Sequence, residues 1–527
     1  MSDRILNYTP TQKTLFGHPI GLFILFLTEM WERFSYYGMR AILVLYLVTE
    51  TGGDNPGLGW TDERALALYG WYTMFVYVAS IPGGIIADKL LGQRKSVFVG
   101  GLLLVAGHTV LAIEMLWAFY TGLLLIVLGV GMLKPNISTM VGGLYSKNEP
   151  DKRDMGFYIF YIGINMGAAA AALIVGYVGE YIGWHYGFGL AGIGMALGQL
   201  TYWYGQKYLQ HVGNLVVDDR EDKPSTGNSN LLLSIFQSTN SMIGFAFMLG
   251  LGAYIWIGQG SWSYGLLTIG LAFAVGVGIV VYNDGNRVEK DRILVTYLSF
   301  LIIIVFWGSF EQAGGLMNIY TKEKTDLTIG SFEVPASWFQ SVNAIFILIF
   351  ATLVGSFWVW WKNRNRESSA LFKMAIGVII MGWGFFFMSI ASNEVSYNAA
   401  GEIIEKSGMQ WLVLAYLFHT LGELCASPVA LSFITKLTPE RWMAFMMGSY
   451  FAATGIGNKV AGVLGESASD YGEFTVFTTI GVFCTIFGIL VILILKPLKR
   501  LMHGAEEAEK VHPTNAKGAL EEPLSNE

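Results

Sequence analysis

The chain is poor in almost everything that marks a soluble globular protein. Only 14% of its 527 residues are charged, against about 25% in ordinary globular domains, too few to cover a water-facing surface of normal extent. Its two cysteines, Cys425 and Cys484, both lie inside apolar stretches, which argues against a disulfide framework or a cysteine metal site and suits small core residues. Long polar connections are scarce, so no extramembrane domain of enzymatic or ligand-binding size is expected. No cleavable leader is expected either: MSDRILNYTPTQKT runs into an apolar segment too long for one, without a small-residue cleavage site. The GxxxxGK[ST] phosphate loop is missing, although GVGMLKPNIS approaches it. Any work this chain does must therefore draw on a gradient. No nucleophile and base set or His/Asp metal cluster is apparent, so a membrane enzyme is disfavoured.

What fills the sequence instead is apolar: 53% of the residues are hydrophobic. Crossing a hydrocarbon core about 30 Å thick takes roughly 20 such residues in a helix. Fourteen stretches of that order lie near 19–49, 65–88, 96–114, 117–140, 156–182, 187–207, 240–258, 262–282, 293–318, 337–361, 371–392, 409–433, 442–463 and 472–495. The reading is an all-α polytopic membrane protein. Lys and Arg concentrate in the termini and in every second connection, as cytoplasmic segments do. Of the 33 such residues only Arg64, Lys322, Lys324 and Lys406 fall on the opposite side, which puts both termini in the cytoplasm. Arg33, Arg40, Lys134 and Lys459 fit no loop at all.

The polar run DDREDKPSTGNSN, residues 218–230, separates six spans from a pair, and NDGNRVEKDR separates that pair from six more. The expected organisation is a cytoplasmic N-terminus 1–18, a six-helix bundle 19–210, a cytoplasmic linker 211–239, an inserted helix pair 240–282, a second six-helix bundle 283–495 and a polar cytoplasmic tail 496–527. The inserted pair has no charge in its apolar cores, which suits peripheral packing in lipid. The tail is too poor in apolar residues to fold alone.

The first span holds EMWERFSYYGMR. At 100° per residue, Glu29, Glu32, Arg33, Tyr36, Tyr37 and Arg40 share a stripe about 140° wide, with Trp31, Phe34 and Met39 outside it. A charge at the centre of a spanning helix costs about 2.5–3.5 kcal/mol unless it has partners or water. A purely structural ion network would need six polar groups fully satisfied in a dry core, so a polar interior cavity is the better reading. Other segments supply partners: Lys134 before Pro135, Trp307 one turn before Glu311, and Glu423 one turn before Ser427 and Pro428. Pro135 removes one backbone donor and loosens the ladder a turn back. Asn165, Gln340 and Asn343 add neutral polar groups, each by itself suited to an interhelical hydrogen bond. Lys134 and Glu423 occupy corresponding spans of the two halves with opposite sign. A cavity positive on one side and negative on the other suits a zwitterion, and a peptide or amino acid is the smallest common one.

These motifs resemble those of the proton-dependent oligopeptide transporters, a branch of the major facilitator superfamily. ExxERFxYY stands as Glu29, Glu32, Arg33, Phe34, Tyr36 and Tyr37, and GxGxxKPNxS as Gly129, Gly131, Lys134, Pro135, Asn136 and Ser138. FYxxINxG stands as Phe160, Tyr161, Ile164, Asn165 and Gly167, and the superfamily loop as GGIIADKLLGQRK. The likeness covers essentially every span, and the inserted pair and the short 393–408 connection match the bacterial type. It implies the superfamily fold of two six-helix bundles plus two inserted helices. It implies a proton-coupled symporter of di- and tripeptides in the bacterial cytoplasmic (inner) membrane, driven by the proton gradient without a cofactor. It would place the peptide carboxylate on Arg33 and Lys134 and the amino end on Asn165, Asn343 and Glu423, near Ser427. Tyr36, Tyr37, Tyr69, Trp307 and Tyr450 would line side-chain pockets. Glu29 and Glu32 with Lys134, and Arg40 with Glu311, would be the proton-linked ion pairs. Two positions depart from the pattern: Gly70 stands where animal members carry a histidine, and Tyr450 where a Trp is common. His108 and His419 read as structural, and Lys459 as snorkelling or near the external end of its helix. A same-fold carrier of nitrate or a peptide conjugate stays open, although Glu423 disfavours a pure anion. A receptor or scaffold would not need paired charges of both signs in opposing halves.

Overall fold

A computed structural model describes residues 13–146, 149–215, 236, 238–258 and 262–506. Lys147, the polar run 218–230 and the tail beyond 506 lie outside the described residues. The long helices are α1 (Ile20–Val48), α2 (Asp62–Leu91), α3 (Gln93–Leu111), α4 (Leu116–Gly143), α5 (Pro150–Tyr181), α6 (Trp184–Gly205), α7 (Thr239–Gly258) and α8 (Trp262–Asp284). They continue with α9 (Arg287–Lys324), α10 (Ala336–Asn363), α11 (Ala370–Glu394), α12 (Met409–Leu437), α13 (Met443–Glu466) and α14 (Glu473–Leu493), and α15 (Leu495–Leu501) follows. Among the described residues 10 of these helices are long and apolar enough to cross a membrane. Helices α1, α6, α8 and α13, and the short α15, fall outside that set. In α1 the reason is the motif itself, since every stretch long enough to span holds at least three of Glu29, Glu32, Arg33 and Arg40. A helix satisfies its own backbone, which is why an apolar run in lipid adopts one.

Helix positions follow the apolar segments closely. The one qualitative difference lies at 293–318, where a continuous span was expected. There α9 stops at Phe310, tightens to a 3₁₀ turn at Glu311–Ala313, passes through Gly314 and Gly315, and restarts at Leu316. Two adjacent glycines make the interruption cheap, and Gly315 takes a backbone conformation (φ −105°, ψ −111°) outside the helical region. Proline does not break α4 or α12, which run through Pro135 and Pro428. Among the described residues sheet structure is limited to short two-stranded ladders outside the helices, such as Thr328–Ile329 with Phe332–Glu333.

The described residues form two compact units. One takes in those of Met1–Asn228, Ser299–Leu431 and Ala444–Ile492, and so holds most of both six-helix sets. The other takes in those of Ser229–Leu298, Ser432–Met443 and Leu493–Glu527. Within it Arg441 binds Asp284 at the end of α8 (2.9 Å) and Glu289 at the start of α9 (2.8 Å). The His503 ring lies 2.7 Å from Asp291, and Arg292 donates to the Met502 carbonyl. The inserted pair thus has polar anchoring at the α8 end in addition to its apolar faces.

Candidate functional site

The stripe on α1 folds inward as its spacing requires: Glu29, Glu32, Arg33, Tyr36 and Arg40 are buried, and Tyr37 is half-buried. Arg33 Nε lies 2.9 Å from Glu29 Oε1 and 2.5 Å from Glu32 Oε2, although neither approach is aligned as a hydrogen bond. This corrects the expectation that both glutamates pair with Lys134. Glu29 and Glu32 share a helix with Arg33, so their pairing orders no second element. Lys134 Nζ instead sits 3.9 Å from the centre of the Tyr77 ring, a cation held over a π face. Among the described residues Arg33 Nη2 and Glu29 Oε2 are buried without a hydrogen-bond partner. Buried polar atoms left without a hydrogen bond call for a ligand or water.

Two turns beyond Arg33 on α1, Arg40 Nη1 donates to both oxygens of Glu311, at 3.0 and 3.1 Å. Tyr69 on α2 donates its hydroxyl to Glu311 Oε2 at 2.8 Å. Tyr69 was expected in a side-chain pocket. It is fully buried and belongs to this ion pair, because the break in α9 brings the Glu311 carboxylate within reach of its hydroxyl.

In the other half, Asn343 Nδ2 donates to Glu423 Oε2 and to Thr420 Oγ1, both at 3.0 Å. Asn343, Glu423, Ser427, Trp307 and Tyr450 are half-buried, as is Lys134, whereas Asn165 is buried. Among the described residues Asn165 makes no interhelical hydrogen bond: its amide donates to the Tyr161 carbonyl in its own helix, 2.9 Å away. Trp307 packs edge-on against Phe306 and Phe310. Tyr77 was not singled out from the sequence, yet it lies within electrostatic reach of Arg33, Arg40, Glu311 and Glu423 together. It marks where the charged groups of the two six-helix sets face a common interior.

The glycines of the GxG run before Lys134 serve packing. A side chain at Gly131 would stand 2.5 Å from the Ala79 carbonyl of α2. Gly70, the site of the missing histidine, lies against Gly462 of α13, where an added Cβ would come within 3.0 Å of the Gly462 Cα. A wedge there, Gly462→Leu, is expected to push α13 from α2 and destabilise the protein by about 1–3 kcal/mol, read as a lower Tm in detergent.

Glu180 at the end of α5 carried no signal beyond being a carboxylate near a loop. Its buried side chain accepts from Ser337 N (2.9 Å), Ser337 Oγ (2.6 Å), Ala336 N (3.2 Å) and Lys322 Nζ (3.4 Å). It thus caps the 3₁₀ turn that opens α10, one of the first-turn donor sets that helices leave open. Around it Trp338 Nε1 donates to Leu173 O and Ser341 Oγ to Ala169 O. Lys459 does not snorkel: it is buried and bonds Glu466 at 3.0 Å. His108 and His419 are buried, and among the described residues neither ring has a hydrogen-bond partner at either nitrogen.

Helices of membrane-spanning length, with cations and anions turned inward from two six-helix sets, define a polytopic transporter. The family model described as POT family matches residues 94–478. The chain belongs to that family. It is 37% identical over 513 residues to an uncharacterized transporter, YclF, of Bacillus subtilis (strain 168), covering 95% of this chain and 99% of the relative. It is 36% identical over 507 residues to a di-/tripeptide transporter of Lactococcus lactis subsp. cremoris, covering 94% and 99%. A crystal structure of a peptide transporter POT in complex with sulfate superposes with a TM-score of 0.78 at 33% identity, over 93% of this chain and 97% of that one.

Proposed function

We propose that this protein is a proton-coupled symporter that imports di- and tripeptides across a bacterial cytoplasmic membrane by alternating access, with both termini in the cytoplasm and no bound cofactor. The observation that carries this reading is the pairing of opposite, incompletely satisfied ends in one interior. Arg33 offers a buried, unpartnered Nη2, and Asn343 with Glu423 offers oxygens to a cation. A free peptide carries one charge of each sign, and fits both ends at once. Arg33 and Lys134 hold its carboxylate in this scheme, while Asn165, Asn343 and Glu423 take the amine, with Ser427 one turn away. Tyr36, Tyr37, Trp307 and Tyr450 surround the side chains. The family membership and the similarity to a di-/tripeptide transporter support the substrate class.

Coupling rests on two buried carboxylate sets, Glu29 and Glu32 around Arg33 and Glu311 on Arg40. A proton on either set weakens its hold on the arginine. Protonation of Glu32 frees Arg33 for the peptide, and loss of the Arg40 to Glu311 attraction loosens α1 from α9. Acid outside therefore favours loading from outside and release inside.

The test is uptake of labelled Ala-Ala into proteoliposomes with and without an inward proton gradient. Accumulation above equilibrium is expected only with acid outside, and Glu32→Gln is expected to reduce it to the level seen without a gradient. Uptake that ignores the gradient and survives Glu32→Gln rejects the symport scheme. Accumulation of nitrate without any peptide uptake would favour the anion carrier instead.

A further inference from the structure

We infer that Thr420 is a positioning residue that fixes which face of the Asn343 amide meets the substrate, and so makes this end of the cavity selective for a peptide's free amino group. The inference rests on the assignment of Asn343 and Glu423 to the amine. Thr420 is fully buried on α12, one turn before Glu423. Its hydroxyl donates to the Tyr416 carbonyl at 2.7 Å, the usual backward bond of a helical threonine. A hydroxyl has a single hydrogen. With that hydrogen committed to Tyr416, Thr420 Oγ1 can present only lone pairs to Asn343, 3.0 Å away.

Asn343 must therefore turn its NH₂ toward Thr420. Its second amide hydrogen then reaches Glu423 Oε2 at 3.0 Å. Both donors are used, and the planar amide leaves its oxygen on the opposite side. Among the described residues neither Asn343 Oδ1 nor Glu423 Oε1 has a protein donor. Two acceptors thus remain on Asn343 and Glu423, and neither residue has an N–H left to offer. An ammonium group satisfies them both. A neutral or anionic group in the same place leaves polar oxygens unpaired, which is costly away from bulk water.

Removing the Thr420 oxygen takes away one of the two acceptors that hold this orientation and leaves Glu423 Oε2 alone to do so. Held by one bond instead of two, the amide turns more readily and can point an N–H at the substrate, where it would oppose an ammonium and tolerate its absence. Selectivity for the amine should fall, and substrate affinity should suffer more than the maximal rate.

The experiment compares Ala-Ala with propionyl-alanine, its analogue lacking the amine, as competitors of labelled Ala-Ala uptake by the full-length protein in proteoliposomes. The wild type is expected to prefer Ala-Ala strongly. In Thr420→Val that preference should shrink about tenfold, the effect of one misplaced hydrogen bond to a charged group, chiefly through a higher KM for Ala-Ala. Thr420→Ser keeps the oxygen and should regain the wild-type ratio. A Thr420→Val protein with the wild-type ratio overturns the inference, as does a Thr420→Ser protein that loses the ratio. Should valine not be accommodated, Thr420→Ala supplies the same comparison. Thermal-shift titrations with the two compounds read the ratio even when transport is lost. A wild type that does not distinguish the two compounds would instead overturn the assignment of Asn343 and Glu423 to the amine.

Discussion

Glu311→Ala is expected to abolish peptide uptake and to cost the protein about 3–5 kcal/mol of stability, the usual penalty for leaving one member of a buried ion pair alone. Arg40 and Glu311 are both almost fully buried, and Arg40 Nε already lacks a hydrogen-bond partner. Without the carboxylate the guanidinium has no counter-charge in contact, and Tyr69 loses its acceptor. The double substitution Arg40→Leu with Glu311→Leu should recover most of the stability, because replacing both charges removes the uncompensated one. It should not recover gradient-driven uptake, since nothing is left to titrate at that position. Thermal melts in detergent and proteoliposome uptake separate the two effects. A Glu311→Ala protein of wild-type stability and activity would show that this pair neither locks nor couples the helices. A smaller perturbation of the same contact is available at Gly314, where a Cβ would lie 2.9 Å from Tyr69 Cζ and 3.3 Å from Arg40 Nε.

The second large effect is expected at Glu180→Ala. Its carboxylate gathers two backbone N–H groups, a hydroxyl and an ammonium at the junction of α5 with α9 and α10. Hydrogen bonds to a charged acceptor contribute about 1.5–3 kcal/mol each, and buried backbone donors left unpaired add to the loss. Even one such loss shifts a two-state equilibrium by roughly tenfold to a hundredfold. In the proposed orientation this junction is the external end, so the variant should populate an externally open state. Spin labels at Thr51 and Ser331, both exposed, are expected to move apart in Glu180→Ala. The native cysteines are buried and leave the labelling clean. Uptake should fall in parallel, because a carrier that cannot close one end cannot complete its cycle. Unchanged label distances would mean that apolar packing alone holds the junction.

Much of this was legible in the sequence because a bilayer simplifies the problem. Long apolar runs in lipid become helices, and a charge among them must face inward. Those two rules were enough to place the spans and to put Glu29, Glu32, Arg33, Tyr36, Tyr37 and Arg40 on one inward stripe. Spacing along a single helix is fixed by covalent geometry, so it can be read without knowing any neighbour. The motif resemblance added that Arg40 meets Glu311, and the two are in contact.

Partnerships between helices are a different matter, because they depend on rotations, depths and breaks that no local spacing encodes. Tertiary structure decided that Arg33, within its own helix, rather than Lys134 holds Glu29 and Glu32. It turned Tyr69 from a pocket wall into a donor to Glu311, through a helix break that two glycines permit but do not dictate. It gave Glu180 and Thr420 roles that a lone loop-end carboxylate and a lone threonine could not announce, since each acts only through atoms brought to it from elsewhere in the chain. Sequence alone determined which residues had to leave the lipid, because that cost belongs to each side chain by itself. Which partner received each of them was settled by packing, because a hydrogen bond belongs to two.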